Sequence, residues 1–180
     1  MPKTNTLEQN PLSQPEAQRL LDFILDKKYR SLVLLGLNSG ISLPEAFALK
    51  ANDITAMEQV LWIMDASKKK HRTVIVPKKV LEYIKHCLNG NLKADVILFD
   101  IPLSTLMDEL PTLSKNAIGK PIGWACIRAT YAKLAIEAGH PIDLVSENTG
   151  LSRKFISEQI QTVPELKREI VNLKPLVVIK

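Results

Sequence analysis

The sequence predicts a mainly α-helical domain with one small antiparallel β-hairpin, an α+β class. Apolar residues recur at helical spacing over most of the chain, and two β-rich runs flank a polar stretch within residues 58–77. No stretch approaches the roughly 18–20 unbroken apolar residues of a membrane-spanning helix. At 180 residues, 46% hydrophobic and 24% charged, the chain suffices for one domain with a sizeable core, and disorder throughout is excluded. Residues 1–14 lack the apolar run of a secretory signal, which points to the cytosol.

Residues 1–12 read as a flexible arm. Ser13-Gln14-Pro15-Glu16 then supplies a helix N-cap, a first-turn proline and a glutamate able to reach back. Leu20, Leu21, Ile24 and Leu25 give that helix its apolar face, with Lys27 and Lys28 near its C-terminal dipole. A second apolar run, residues 31–37, stops at Asn38-Ser39-Gly40, and a short helix follows from Leu43 to Lys50. Residues 58–64 and 73–77 form the strands of a hairpin, with 66–72 as its cationic tip. Helical periodicity returns at 79–88 and ends on Asn89-Gly90. Residues 95–99 fit a short buried strand or a helix start, and periodicity does not decide between them. Residues 101–120, punctuated by Pro102, Pro111 and Pro121, carry no assignment. Further helices are predicted over 123–138, 142–148 and 152–160. The domain therefore spans 13–161, and 162–180 is a tail apolar enough at its end to want a partner.

The formal charge is +5, and its placement matters more than its size. Residues 67–88 hold seven cations (Lys68, Lys69, Lys70, Arg72, Lys78, Lys79, Lys85) against Glu82, leaving the remainder of the chain near neutral. A localised basic patch fits a polyanion, because neutralising phosphates releases counterions. A solvated lysine run is the alternative. Cys87 and Cys126 have no partner at metal or redox spacing, so no zinc site or disulfide framework is expected. His86 and His140 lack a second ligand and are read as surface residues. No cofactor is implied.

Four stretches carry a resemblance. They are Leu35 to Leu49 with Asn52-Asp53-Ile54, Thr73 to Pro77, Ile127 to Gly139, and Ile142 to Gly150. In order and spacing they resemble the catalytic domain of the tyrosine recombinases, the phage-integrase family. Members that cut DNA carry two arginines, a hairpin lysine, two histidines (the second sometimes tryptophan) and a tyrosine nucleophile. The resemblance places the first arginine on Ser42, the first histidine on Ala125, the second on Leu151 and the tyrosine on Ile160. Only Arg128, and a hairpin lysine at Lys69 or Lys70, match. Serine brings no charge to a phosphate clamp, alanine and leucine move no proton, and isoleucine cannot attack phosphorus. Tyr131, one turn past Arg128, is expected in the core.

The expected protein is a catalytically inactive, recombinase-like binder of double-stranded DNA with a regulatory or accessory role, of bacterial or mobile-element origin. Lys68, Lys69, Lys70, Arg72, Arg128, Arg153 and Lys154 are its candidate DNA contacts. The family's core-binding domain is expected to be missing, and affinity would then depend on oligomers; the C-terminal tail fits donation to a neighbouring subunit or folding back on its own core. Residues 142–160 also fit a helix-turn-helix, with Val145, Gly150, Leu151 and Ile156 at its spacing and Ser152-Arg153-Lys154 opening the recognition helix. A winged form of that motif puts its hairpin after the recognition helix, whereas here the hairpin precedes it. Two rivals remain: an active recombinase with a displaced active site, and an interaction module that no longer binds DNA.

Overall fold

The computed structural model describes residues 10–55, 59–65, 70–88, 96–159 and 174–178. Helix α1 (Gln14–Phe23) starts on the anticipated capping box: Ser13 accepts from the Glu16 N–H while the Glu16 carboxylate accepts from the Ser13 N–H. The helix ends at Phe23, earlier than its apolar pattern implies. Asp26 breaks the run by accepting from the Tyr29 N–H at 2.7 Å and capping α2 (Lys27–Ser39). Lys27 and Lys28 therefore open α2 and do not close α1, and Leu25 is stranded in the connecting turn.

Helix α2 is buried on nearly every side and packs against α1, α4 (Lys78–Cys87) and α6 (Trp124–Glu137). It ends at Gly40, whose φ of 66° is the left-handed conformation that glycine adopts without cost. Helix α3 (Leu43–Ala48) and a 3₁₀ turn at Ala51–Asp53 lead to a three-stranded antiparallel sheet, in the order β1 (Ile54–Thr55), β2 (Val60–Asp65), β3 (Lys70–Ile75). The β2–β3 register runs from Val60 opposite Ile75 to Asp65 opposite Lys70. Leu61, Ile63, Val74 and Val76 face the core, and Trp62 and Ile75 face outward.

This register corrects the predicted hairpin. Cross-strand pairing continues to Lys70, so His71 and Arg72 belong to β3 and not to the tip. Residues 66–69, with Lys68 and Lys69, lie outside the described residues, as do residues 1–9 of the 1–12 arm, Asn89-Gly90 and Ile160. The arm's last residue, Leu12, is buried and donates its N–H to Thr130 Oγ1 at 2.9 Å, so its end is packed. Ile97 forms a single antiparallel bridge with Lys50, and Leu98 and Phe99 are buried beside it, which favours the strand reading of residues 95–99. The unassigned stretch is helix α5 (Leu103–Ile118), the longest among the described residues. Its prolines hide it: Pro102 precedes the first turn, Pro111 forgoes one backbone hydrogen bond, and Pro121 follows the Gly119 cap. Helices α7 (Ile142–Thr149) and α8 (Arg153–Gln159) meet around buried Val145 and Ile156, with Gly150 in the left-handed turn between them.

His140 is not a surface residue: it is 6% exposed. Its turn folds back so that its N–H reaches the Ala135 carbonyl, and Leu176 of the tail lies beside it. Burial holds its imidazole below the usual histidine pKa.

Helices α2 and α6 approach so closely at Gly36 that a Cβ there would stand 2.7 Å from the Trp124 ring and 2.8 Å from Ile127. Gly36→Val is predicted to destabilise the fold by roughly 1–3 kcal/mol through overpacking. The check is urea denaturation, and an unchanged midpoint contradicts the close approach.

Candidate nucleic-acid interface

Four elements converge where α2 ends: the start of α3, strand β3, α6 and the C-terminal end of α7. At the start of α3, Ser42 stands at N-cap, and its N–H and hydroxyl both donate to Glu45 Oε2, at 2.9 and 2.7 Å. The other carboxylate oxygen, Oε1, accepts from Arg72 Nε at 2.8 Å and lies 2.7 Å from Nη2. Burial raises the Glu45 carboxyl, but Ser42 and the Arg72 guanidinium outweigh it and hold the pKa below the ordinary carboxylate value.

Arg72 reaches Glu45 because it sits on the inward face of β3, opposite Ile63. Its Nη1 donates to the carbonyls of Glu147 and Asn148, at 2.7 and 3.0 Å. Arg72 thus joins α3, β3 and α7. Arg128, half-buried on α6, donates through Nε to the Gly40 carbonyl at 3.0 Å and through Nη2 to the Thr149 carbonyl at 2.5 Å. Burial lowers its guanidinium pKa, the charge of Glu45 raises it, and Arg72 lowers it further. Both arginines therefore belong to one electrostatic cluster around Glu45, and both are bound to main-chain oxygens.

Asn148 completes the junction. Its amide donates to the Ile75 carbonyl and the Tyr131 hydroxyl at 2.9 and 2.7 Å, and its Oδ1 accepts from the Ile75 N–H at 3.1 Å. The free edge of β3 is thereby closed against α7. The Tyr131 phenol is buried, which pushes its pKa up to about 12, and the Asn148 donor offsets only part of that shift. A phenol so placed is a poor nucleophile. Tyr29 donates to the Leu106 carbonyl, and Tyr83 lies on α4 beside Cys87.

This order of elements has known counterparts. The chain is 24% identical over 163 residues to tyrosine recombinase XerA of Saccharolobus solfataricus, covering 90% of this chain and 55% of that protein. It is 26% identical over 121 residues to a probable integrase/recombinase of Acholeplasma phage L2, covering 64% of this chain and 42% of the relative. The chain thus spans about half the length of the curated relatives it matches. A crystal structure of XerA recombinase superposes with a TM-score of 0.72 at 21% identity, over 84% of this chain and 60% of that one. The catalytic domain of bacteriophage HP1 integrase gives 0.63 at 19% identity, over 84% and 87%. The fold is that of a tyrosine recombinase catalytic domain. No family model matches the chain.

Within that fold, the positions that the resemblance assigns to catalytic groups hold half-buried Ser42, exposed Ala125 and half-buried Leu151, while Ile160 lies outside the described residues. Arg153 and Lys154 project from the first turn of α8. Arg153 Nε pairs with Asp143 Oδ1 at 2.7 Å, and Lys154 stands 3.9 Å from Glu158 with most of its side chain in solvent. Lys70 is placed by its backbone as the first residue of β3. Of the predicted DNA-binding residues, the structure brings Arg72 and Arg128 together. Sequence reasoning missed Glu45 and Asn148. The Ser-x-x-Glu spacing from Ser42 flags Glu45 as a helix-start residue, whereas nothing local marks Asn148.

Arg72→Met removes the cation that faces Glu45. It is predicted to cost roughly 1.5–3 kcal/mol at pH 7, the scale of a hydrogen bond to a charged group. Glu45 is a depressed carboxylate, so its contribution is present above the ordinary value of 4.5 and fades as pH falls through its lower folded value. The wild-type and variant stabilities should therefore converge on acidification. Urea midpoints at pH 7 and pH 3 read this: the gap should narrow, the remainder being the carbonyl hydrogen bonds of Arg72 Nη1, and a gap of unchanged size contradicts the ion pair.

Proposed function

We propose that this chain is a catalytically inactive tyrosine-recombinase-like protein that binds double-stranded DNA in a regulatory or accessory role. One observation carries the reading: the junction of Arg72, Glu45, Arg128 and Asn148 holds two guanidiniums and a carboxylate already engaged by Ser42 and Arg72, with no histidine and no accessible phenol at that junction among the described residues. Strand transfer through phosphotyrosine needs a nucleophile and a group to protonate the leaving oxygen. Ser42, Ala125, Leu151 and Ile160 provide neither. What the scaffold retains is charge: a basic hairpin, two arginines and the cationic first turn of α8. Related folds bind DNA, among them XerH site-specific recombinase bound to its difH substrate, which this chain matches with a TM-score of 0.67 at 20% identity over 85% of this chain and 50% of that one.

The finer proposal concerns assembly. Residues 174–178 lie against α1 and α2 of their own chain and bend at Leu176 and Val177. Leu176 N–H donates to Asn38 Oδ1 at 2.8 Å, Asn38 and Gln14 donate back to the tail's carbonyls, and Gln18 both donates to and accepts from Val178. Leu176 and Val177 are buried. This seat reads backbone plus two apolar side chains, so the same segment of a second copy would also fit it; we infer that copies can exchange this tail, which here folds back on its own chain. Asn38→Leu, which withdraws the buried clamp, is predicted to shift any dimer toward monomer in sedimentation velocity; an unchanged distribution removes the tail from assembly.

Two measurements separate the function from its rivals. Replacing Lys68, Lys69 and Lys70 with alanine should weaken DNA affinity and flatten its salt dependence by about one slope unit for each phosphate that is no longer neutralised. Arg72 stays in place because it holds the hairpin to α7. No change in the slope favours an interaction module that has left DNA behind. A nicked suicide duplex should yield no covalent adduct, and an adduct abolished by Tyr131→Phe establishes an active recombinase instead.

A further inference from the structure

The turn between α1 and α2 opposes the start of α5 across an open groove of about 810 Å³. Its apolar walls include Phe23, Leu25, Ile101 and Leu113. Leu25 is 89% exposed and Phe23 44%. A leucine in a three-residue turn with almost its whole side chain in water has no packing role, since turns favour small polar residues. The rim is acidic: its lining includes Asp22, Asp26, Asp100 and Glu109 and one cation, Lys28. Asp22 is partly neutralised by Arg30 at 3.3 Å, and Asp26 is held by its helix cap. Asp100 and Glu109 have no ion pair among the described residues. Glu109 is close enough to Tyr29 to add to the rise in its phenol pKa that burial begins.

The groove lies at the opposite end of α2 from Gly40 and Arg128, a separation of about 20 Å for thirteen residues at 1.5 Å each. Its sign is also opposite. Four carboxylates repel a phosphate backbone, so nucleic acid is not its occupant. A volume of this size takes several side chains, and an exposed apolar patch with a charged rim is the form of a protein-interaction site. We propose that this groove docks a partner protein through a short segment in which leucine- or phenylalanine-type residues alternate with lysine or arginine: apolar side chains between Phe23, Leu25, Ile101 and Leu113, cations on Asp100 and Glu109. This goes beyond the DNA-binding reading and does not rest on it. A protein held here leaves the Arg72–Arg128 end of the molecule open.

The test is selection of a random dodecamer library displayed on phage against the full chain, followed by fluorescence anisotropy of the enriched peptides. Two double variants are compared, Phe23→Ser with Leu25→Ser, and Asp100→Lys with Glu109→Lys. All four side chains are partly or fully exposed, so the fold should persist, and circular dichroism checks it. The expected result is enrichment of apolar-plus-basic sequences whose affinity drops at least tenfold in either variant, while mobility shifts with duplex DNA stay unchanged. The proposal is overturned by no enrichment, by peptides lacking lysine and arginine, or by peptides that bind the variants as well as the wild type. It is also overturned if the wild-type chain self-associates and the Phe23/Leu25 variant is monomeric, because the occupant is then a second copy. Peptide binding at the groove with no salt-dependent DNA binding by the wild-type chain means that the DNA reading alone has failed, and DNA binding with no peptide enrichment means that the groove proposal alone has failed.

Discussion

The close crossing of α2 and α6 sets the position of everything at the junction. Gly36 lets Trp124 and Ile127 lie against the α2 backbone, and a Cβ on Gly40 would meet Tyr131 and Thr149 at 2.5 Å each. Gly40 also has a left-handed φ, so two constraints coincide on one residue. Because Gly40 has no side chain, Tyr131 packs against the end of α2, and the Gly40 carbonyl comes within reach of Arg128. Trp124 ties the first turn of α6 to the same end of α2 by donating its indole N–H to the Ile41 carbonyl at 2.9 Å. Once this crossing is made, α3, β3 and α7 have little freedom in how they meet.

The consequence is electrostatic. Glu45 accepts from Ser42 on one oxygen and from Arg72 on the other, so a half-buried carboxylate is satisfied on both sides. Unpaired, the same group would be costly to bury. Arg72 and Arg128 are tied to the carbonyls of Glu147, Asn148, Thr149 and Gly40, which are the C-terminal ends of α7 and α2, where partial negative charge collects. Cations there join helix ends to one another whether or not an anion ever arrives. An arginine at this place therefore has a structural role whatever the chemistry of the site, and Arg128 illustrates it.

Much of the architecture was legible because it is written in local signals. The Ser13 capping box, the glycine stop at Gly40, the β-branched run at 73–76 and the helix ending at Gly139 each act within a few residues. Helix α5 escaped because proline marks both helix starts and helix breaks, and only packing of Leu106 and Leu110 against the core decides between them. Arg72 escaped because charge density made residues 66–72 look like one exposed tip. The pairing register, a non-local property, turns Arg72 inward and makes it a cross-link. His140 and Asn148 were misjudged or missed for the same reason: the elements that bury them are far away in sequence.

The two ends of α2 carry opposite chemistry, and this argues for a division of labour along the helix. At Gly40 the surroundings are cationic and rigid, closed by hydrogen bonds among α3, β3, α6 and α7. At Asp26 they are acidic and apolar, with side chains such as Leu25 that contribute nothing to the core. Strand cleavage alone gives no use for an apolar, acid-rimmed groove about 20 Å from the Gly40–Arg128 end of α2. The proposed DNA contact and the proposed docking groove together need two surfaces that do not compete. Opposite signs at opposite ends give that separation, since a polyanion and a basic segment are each repelled from the other's seat.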